Sequence, residues 1–419
     1  MDTDDAVYLG LLFVSIGFGH IFRLIIDEPE HKKWVSTIFG LALIHAVSGN
    51  HILHPLTCVV INFLIIKCVH NKYCHIVSFV VSFLYLLFFR TTEYFGIEYP
   101  PAHTNAVQMM LTLKVLVGLA FDLHDAAEAL EKNKEDENIH ECMKRPISFL
   151  DFFHYSFCYV GCLTGPFYRY RTYWDMIYSP FSKYAPCFDA TFQRIKYVPL
   201  YAALYLITTH FFPLKYAYTD EFYEERSMLY RTFFLTPCLF IFRLRIYIGF
   251  VLAECVCTMA GLGAYPKVSE PRSGMGPVKY EIVDKIKCDP ERLKTEKYDF
   301  EAIHNIDPYG CEFVRTFRVA MKCWNMTVQY WLAVYVYKRV TIRPLRNIKR
   351  TVIDCIFHFF RVQAFSYMGI AFLLLRIDTT LHYWKSIYFI GNVVTAIFYV
   401  VGIIILKRRK RLEKLAKKE

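Results

Sequence analysis

The sequence lacks the short motifs by which many enzymes bind nucleotides or activate a nucleophile. It contains no phosphate-binding P-loop, no dinucleotide-binding G-x-G-x-x-G and no G-x-S-x-G elbow. Its 14 cysteines are scattered without a C-x-x-C pair, and the neighbouring His45, His51 and His54 have no evident further ligand. We therefore predict a protein that uses no metal ion and no bound cofactor.

Polar helix faces are also scarce, which argues against a large soluble helical protein. Apolar and aromatic residue types make up 55% of the 419 residues, and the mean hydropathy is +0.26. The apolar residues form a series of runs: Val7–Ile26, Trp34–Ser48, His54–Val69, His75–Phe89, Met109–Leu123, Phe149–Thr164, Tyr197–Phe212, Phe233–Ala264, Met321–Tyr337, Val352–Leu375 and Tyr388–Leu406. Because a spanning helix needs about 17–25 residues, these runs predict an all-α polytopic membrane protein with about 9–11 transmembrane or re-entrant helices.

No internal repeat or linker divides the chain, so residues 1–419 are predicted to form one membrane domain. Two polar segments interrupt the apolar pattern. Residues 125–145 are dense in charge and are expected to form a solvated loop, and residues 265–320 form a longer polar loop before the Asn325 segment. The proline- and glycine-rich start of the second loop fits either a mobile linker or a cover over the substrate.

Much of the formal net charge of +11 lies at the C-terminal end. Residues 407–419 follow the last apolar run and are strongly basic, so the positive-inside rule predicts a cytoplasmic tail. On a chain with many spans this basic run does not indicate nucleic-acid binding. The acidic start, Met1–Asp5, has no signal-peptide n-region, and we expect the first run to be a retained anchor with a lumenal N-terminus.

Polar side chains inside the apolar runs are the first candidates for function, because bilayer hydrocarbon cannot satisfy their hydrogen bonds. Asn325 lies in an aromatic segment with Gln329 four residues later, and on a helix both side chains would share one face. Lys114 and Glu254 interrupt two other runs. For these two, a structural ion pair, with each other or with a third group, is an equally good interpretation.

Two groups of basic residues lie near expected helix ends. Arg169 and Arg171 follow a Gly-Pro break and are framed by tyrosines, and Lys338 and Arg339 close the Asn325 segment. Cations at such positions bind the phosphates of a lipid or a nucleotide. They also serve as interfacial anchors whose charged ends reach the membrane surface, and the sequence leaves both interpretations open.

Four motifs together resemble those of a known enzyme family. They are LTGPFYRYRTY at 163–173, AECVC at 253–257, NID at 305–307 and WNMTVQYW at 324–331. The chain is similar to the membrane-bound O-acyltransferases, and within them to the lysophosphatidylinositol acyltransferase branch. The resemblance extends over nearly the whole chain, with long motifs in the same order.

The resemblance implies a helical bundle in the endoplasmic reticulum membrane that transfers an acyl group from acyl-CoA, as co-substrate, to a lipid hydroxyl. The acceptor would be lysophosphatidylinositol or another lysophospholipid, reacylated at the sn-2 position with a polyunsaturated chain such as arachidonoyl. Asn325 matches the family's asparagine, which works with a histidine. Arg169, Arg171, Lys338, Arg339, Gln329, Glu254 and Lys114 are then candidate substrate-binding residues.

The family's histidine stands in a Trp-His-Gly segment that this sequence lacks. None of its five tryptophans precedes a histidine, and Tyr337–Val340 leads almost directly into a stretch that resembles a more distant region of the family. His358, in an aromatic setting, is the candidate substitute base, because a neutral imidazole is the form that a base requires. A packed, non-catalytic histidine is the competing interpretation.

Three functions remain open from the sequence. The first is an active lysophospholipid O-acyltransferase. The second is a catalytically incomplete splice form or gene model of such an enzyme, which acts at most as a lipid-binding membrane protein. The third is a transporter that uses Lys114 and Glu254 along an ion path, although no inverted repeat or pair of broken helices supports it.

Overall fold

The computed structural model describes residues 3–25, 27–96, 102–131, 147–314, 316–339, 377–390 and 392–393. His358 and the basic tail at 407–419 lie outside these described residues. Within them the prediction of an all-α protein is confirmed, because helices form nearly all of the regular structure and strands form one short ribbon.

The N-terminal part consists of long apolar helices, which are α1 (Thr3–Ile25), α2 (Pro29–Ser48), α3 (Leu53–Cys68), α4 (Asn71–Thr91) and α5. Helix α5 comprises Ala102–Leu111, a π-helical section at Thr112–Leu119, and Ala120–Glu131. Four stretches of the described residues are long and apolar enough to cross a membrane: Asp5–Leu24, Pro29–Cys68, Asn71–Phe89 and His103–Glu131. The prediction of a multi-pass membrane protein is confirmed, and the full count of spans stays a prediction.

The next helices are shorter, except for the last. They are α6 (Phe149–Phe157), α7 (Tyr170–Tyr178), α8 (Phe181–Tyr184), α9 (Cys187–Ile195), α10 (Val198–Phe211), α11 (Asp220–Glu224) and α12 (Met228–Ala260). The apolar run at 149–164 is helical only as far as Phe157. Beyond the helix end, Gly161 and Gly165 adopt φ angles of 71° and 92°, a left-handed backbone that glycine enters without strain.

The non-helical segment at 158–169 packs directly on α2. The backbone N–H of Tyr159 donates to the carbonyl oxygen of Ser36 at 3.1 Å. A Cβ added to Gly40 would overlap the carbonyl oxygen of Phe157. Glycine is therefore needed in α2 for this close approach, which fixes the segment that carries Arg169.

The polar loop predicted at 265–320 is folded. Strand β1 (Tyr265–Pro266) pairs antiparallel with β2 (Tyr298–Asp299). Between and after them come α13 (Tyr280–Lys287), α14 (Pro290–Thr295), α15 (Pro308–Phe313) and α16 (Phe317–Lys322). Asp289 caps α14 by accepting hydrogen bonds from the backbone N–H groups of Glu291 and Arg292, each at 3.1 Å. The first residues of the other predicted loop, 125–131, belong to α5.

The C-terminal described part contains α17 and α18. Helix α17 comprises Met326–Trp331 and continues as a π-helical turn at Leu332–Tyr337, and α18 is Ile377–Ser386. The described residues fall into two compact units, at 3–198, 247–313 and 319–339, and at 199–246, 314–318 and 377–393. The prediction of one membrane domain stays a prediction.

Each unit has its own buried cluster. In the first unit, α5, the 158–169 segment and α17 share one cluster: Leu113, Val117, Phe121, Phe167, Trp331 and Tyr335. In the second unit the members are Ala217, Phe222, Phe234, Leu235, Cys238, Tyr383 and Ile387. The first cluster brings α17, which begins just after Asn325, against α5 and the segment that carries Arg169.

Candidate active site

Asn325 occupies a sharp turn immediately before α17. Its backbone has φ 46° and ψ 52°, the left-handed conformation that asparagine tolerates better than most residues. The expected unbroken helix through Met321–Tyr337 is therefore interrupted, and Asn325 and Gln329 do not share a face within one helix. Instead, the Gln329 side-chain amide donates to the carbonyl oxygens of Met321 and Trp324. Gln329 thus satisfies the backbone groups that the break leaves without helical partners.

Asn305 holds the residues that follow this turn. Its carbonyl oxygen accepts a hydrogen bond from the Met326 N–H at 2.7 Å. Its side-chain Oδ1 accepts from the Thr327 hydroxyl at 2.6 Å and from the Thr327 N–H at 3.3 Å. The Thr327 hydroxyl oxygen in turn accepts from the Phe167 N–H at 3.1 Å. The start of α17 is therefore tied to two other segments.

Glu254 lies behind Asn305 and is 2% exposed. Its Oε1 accepts hydrogen bonds from the backbone N–H groups of Asn305 at 2.7 Å and Ile306 at 3.0 Å. Its Oε2 forms an ion pair with Arg194 Nε at 3.2 Å. Of the two interpretations open for Glu254, the geometry thus favours a structural ion pair with a third group.

Lys114 lies in the π-helical section of α5 and is 2% exposed. Its ammonium donates to the Tyr168 hydroxyl at 2.8 Å and lies 5.1 Å and 4.7 Å from the ring centres of Tyr155 and Tyr168. No carboxylate of a described residue pairs with it. Aromatic faces attract cations, so these rings partly replace a counter-ion.

Arg169 is held by Asp122, a residue that the sequence did not single out. Arg169 donates to the two Asp122 carboxylate oxygens at 3.1 Å and 2.8 Å. The Tyr335 hydroxyl of α17 donates to the same carboxylate at 2.8 Å. Asp122 lies inside the apolar run at 109–123, so the rule that selected Lys114 and Glu254 also applies to it.

Arg171 points to a different partner, the folded polar loop. Its guanidinium lies 3.5 Å from the Tyr280 ring centre, 3.5 Å from an Asp284 oxygen and 3.7 Å from an Asp175 oxygen. The Tyr265 hydroxyl also donates to Asp175, at 2.7 Å. Burial raises the pKa of the Asp175 carboxyl, and the positive charge of Arg171 opposes that rise. Arg171 therefore anchors α13 to α7.

Lys338 and Arg339 both lie exposed at the end of α17. Arg339 Nη2 is 2.6 Å from an Asp125 carboxylate oxygen, and its guanidinium lies 4.6 Å from the Phe121 ring centre. Lys338 has no carboxylate partner among the residues that the structure describes. Of the four predicted phosphate contacts, Lys338 is thus the one whose charge is not already matched.

A glycine turn of the polar loop covers the first turn of α17. Gly274 has φ +72°, and its N–H donates to the Ala302 carbonyl oxygen at 2.9 Å. A Cβ added there would lie 3.0 Å from the Thr327 carbonyl oxygen and 3.0 Å from the Tyr330 ring. Of the two interpretations of this loop, a cover next to Asn325 fits this packing better than a mobile linker.

His304, next to Asn305, is a further site residue that sequence reasoning missed. Its Nδ1 lies 3.2 Å from a Glu301 carboxylate oxygen, and its Nε2 lies 3.1 Å from the Ile306 carbonyl oxygen. Burial acts to lower its pKa, but the Glu301 hydrogen bond and the negative charges of Glu254 and Glu301 raise it overall. A ring that faces an oxygen acceptor at each nitrogen donates from both as imidazolium, which is not the form of a general base.

We expect His304 to make the protein's stability depend on pH. Because its folded-state pKa is raised above the unfolded value of about 6.5, its stabilisation is complete below about pH 6.5. It is lost as the pH rises through the folded-state pKa. The thermal midpoint of the detergent-solubilised chain should therefore fall as the pH rises above about 6.5, and fall less in His304→Gln.

Glu301→Gln is the matched control for this pH dependence. It removes the carboxylate that raises the pKa of His304, so the total fall in midpoint should be smaller and should be complete at a lower pH. Identical pH profiles for the wild type and His304→Gln would show that His304 does not contribute.

Among the described residues, no three His, Cys, Asp or Glu side chains lie close enough together to hold a metal ion. That no metal or cofactor takes part stays a prediction.

The model of the MBOAT, or membrane-bound O-acyltransferase, family matches residues 78–360. The chain belongs to the membrane-bound O-acyltransferase family. This match confirms the family resemblance, and the matched residues include the Asn325 turn, Asp122, Arg169 and Glu254.

Curated MBOAT relatives match over nearly the full chain. The membrane-bound acylglycerophosphatidylinositol O-acyltransferase frj of Drosophila melanogaster is 38% identical, over 99% of this chain and 95% of the relative. The membrane-bound acylglycerophosphatidylinositol O-acyltransferase mboat7 of Xenopus laevis is 34% identical, over 100% of this chain and 98% of the relative. The Homo sapiens protein MBOAT7 is 34% identical, over 93% of this chain and 91% of the relative. The predicted branch within the family is thereby confirmed.

The alignments are longer than this MBOAT chain. They extend over 475 positions for the fruit fly protein and 471 for the frog protein, whereas the chain has 419 residues. Both relatives therefore have internal positions without a counterpart here. This agrees with the expectation that the chain lacks a segment present in its family.

Proposed function

We propose that this chain transfers an acyl group from acyl-CoA to the free sn-2 hydroxyl of lysophosphatidylinositol in the endoplasmic reticulum membrane. The observation that carries the proposal is the near-full-length match to relatives named acylglycerophosphatidylinositol O-acyltransferases. The acyl chain would be polyunsaturated, such as arachidonoyl. No observation favours the transporter alternative, since Lys114 and Glu254 each have partners within the fold.

In this reaction the lipid hydroxyl attacks the thioester carbonyl. An ester C–O bond forms, the C–S bond breaks, and the proton of the hydroxyl passes through a base to the departing CoA sulfur. Asn325 is the half-buried amide at the turn before α17. Its N–H would stabilise the negative oxygen that develops on the carbonyl, a role that depends on a fixed position. His358 remains the proposed substitute base.

The charge partners of the four basic residues support an order among the proposed phosphate contacts. Arg169 and Arg171 already pair with carboxylates, whereas Lys338 is exposed and has no such partner among the described residues. A lysophospholipid phosphate or a CoA phosphate would therefore be met first by Lys338, and Arg339 would have to leave Asp125 to join it.

A second candidate is a catalytically incomplete chain that binds lysophospholipid without acylating it. Two observations favour it: the alignments contain internal positions that are absent here, and no Trp-His-Gly occurs in the sequence. Such a chain would keep the Asn325 turn and lack the histidine that completes the reaction.

An acyl-transfer assay separates the two candidates. Microsomes that contain the 419-residue chain would be supplied with arachidonoyl-CoA and lysophosphatidylinositol, with lysophosphatidylcholine as the control acceptor. Formation of phosphatidylinositol that is lost in His358→Ala supports an active enzyme with a substitute base. Activity only after insertion of a Trp-His-Gly segment between Tyr337 and Asn347 supports the incomplete form, and activity in neither contradicts the proposed function.

A further inference from the structure

Both carboxylate oxygens of Glu254 bind groups of the protein. Two buried backbone N–H groups bind one oxygen and Arg194 binds the other. Three of the roughly four acceptor positions of this buried carboxylate are thus taken by the protein, which leaves little for a substrate. Its contacts instead fall on the segment at 305–307, which is the next neighbour of Asn325 in space.

Residues 305–307 form hydrogen bonds with the chain on both sides of Asn325. Before it, the carbonyl oxygen of Cys323 accepts a hydrogen bond from the Asp307 N–H at 2.9 Å. After it, Asn305 accepts from the Met326 N–H and from the Thr327 side chain. We call residues 305–307 the bracket, because they hold the chain before and after Asn325. The left-handed backbone of Asn325 depends on these hydrogen bonds.

Glu254 holds the bracket by accepting hydrogen bonds from the N–H groups of Asn305 and Ile306. The N–H of Asn305 binds Glu254, while the carbonyl and side-chain oxygens of the same residue bind the start of α17. A shift of Asn305 is thus passed directly to Met326 and Thr327. We propose that Glu254 is a positioning residue, which sets the place of the Asn325 amide through Asn305 without touching the substrate.

The activity part of this inference rests on the proposed function. Glu254→Ala leaves two buried N–H groups without an acceptor, so Asn305 should move. Misplacement of a catalytic group by about 1 Å costs on the order of 100-fold in rate, so kcat should fall by that order while KM for acyl-CoA changes little. Glu254→Gln retains an oxygen acceptor and should recover most of kcat. Glu291→Ala, on the exposed side of α14, is the control that should leave kcat unchanged.

A second readout does not need activity. Cys323 and Cys311 are partly buried beside the bracket, whereas Cys68 and Cys288 are exposed and serve as internal standards. Maleimide labelling of the purified full chain, mapped by peptide mass spectrometry, should become faster at Cys323 in Glu254→Ala. The rate at this thiol in Glu254→Gln should stay as in the wild type.

The outcomes are distinguishable. Faster labelling of Cys323 in Glu254→Ala with rescue by Glu254→Gln supports positioning, even if the wild type shows no acyl transfer and the proposed function fails. Unchanged labelling overturns the inference. So would a loss of kcat that Glu254→Gln shares fully with Glu254→Ala, because that pattern indicates a need for the charge itself.

Discussion

Replacing Asp122 by alanine should lower the free energy of unfolding by about 3 kcal/mol, the lower end of the range for breaking a buried ion pair. The Asp122 side chain is 4% exposed and that of Arg169 is 30% exposed, so the stranded guanidinium keeps some access to solvent. The change also leaves the Tyr335 hydroxyl without its acceptor. Three structural elements, α5, the 158–169 segment and α17, meet at this one carboxylate.

Unfolding of the detergent-solubilised chain, followed by circular dichroism in increasing denaturant, measures this effect. Asp122→Asn retains one acceptor for Tyr335 and should lower the free energy of unfolding less than Asp122→Ala.

In the double variant Asp122→Leu with Arg169→Met, no buried charge is stranded. Its loss of unfolding free energy should therefore be smaller than the sum of the losses in the two single variants. Glu291→Ala, which breaks an exposed pair with Lys294, should change stability by less than about 0.5 kcal/mol. An Asp122→Ala effect as small as this would contradict the role of the carboxylate.

The sequence selected polar residues inside the apolar runs, but it did not predict what they contact. The rule that bilayer hydrocarbon cannot satisfy polar groups selected Asn325, Glu254 and Lys114. In the first unit, Glu254 and Lys114 are buried and Asn325 is half-buried. Their partners could not be inferred. Arg194 and Asn305 are far from Glu254 in sequence, and only the folding of the polar loop brings Asn305 to it.

Local backbone conformation was also beyond the sequence. Met321–Tyr337 is a largely apolar and aromatic run, and hydrophobic periodicity does not report a left-handed residue inside it. The break at Asn325 is accompanied by hydrogen bonds that Asn305 accepts from Thr327 and that Gln329 donates to Trp324, and these tertiary and local bonds compete with a continuous helix. The glycines of the polar loop predicted a turn. The packing of Gly274 against Thr327, however, is visible only in the folded structure.

The left-handed turn allows the chemical role of Asn325 to be separated from its conformational role. Asn325→Gly removes the amide but adopts φ 46° without strain, whereas Asn325→Ala removes the amide and pays about 1–2 kcal/mol for the conformation. If the amide stabilises the developing oxyanion, both variants should lose about 100- to 1,000-fold in kcat. Only Asn325→Ala should also lose thermal stability.

Asn325→Asp completes the comparison in the same acyl-transfer assay. Aspartate tolerates the left-handed region and keeps an oxygen in place of the amide, but at neutral pH it donates no hydrogen bond. A hydrogen-bond donor role therefore predicts that Asn325→Asp is as slow as Asn325→Gly. If Asn325→Gly instead retains the wild-type kcat, the amide has no part in the chemistry. The residue is then asparagine because the turn before α17 requires a left-handed backbone, and the group that stabilises the oxyanion has to be sought among the other donors around that turn.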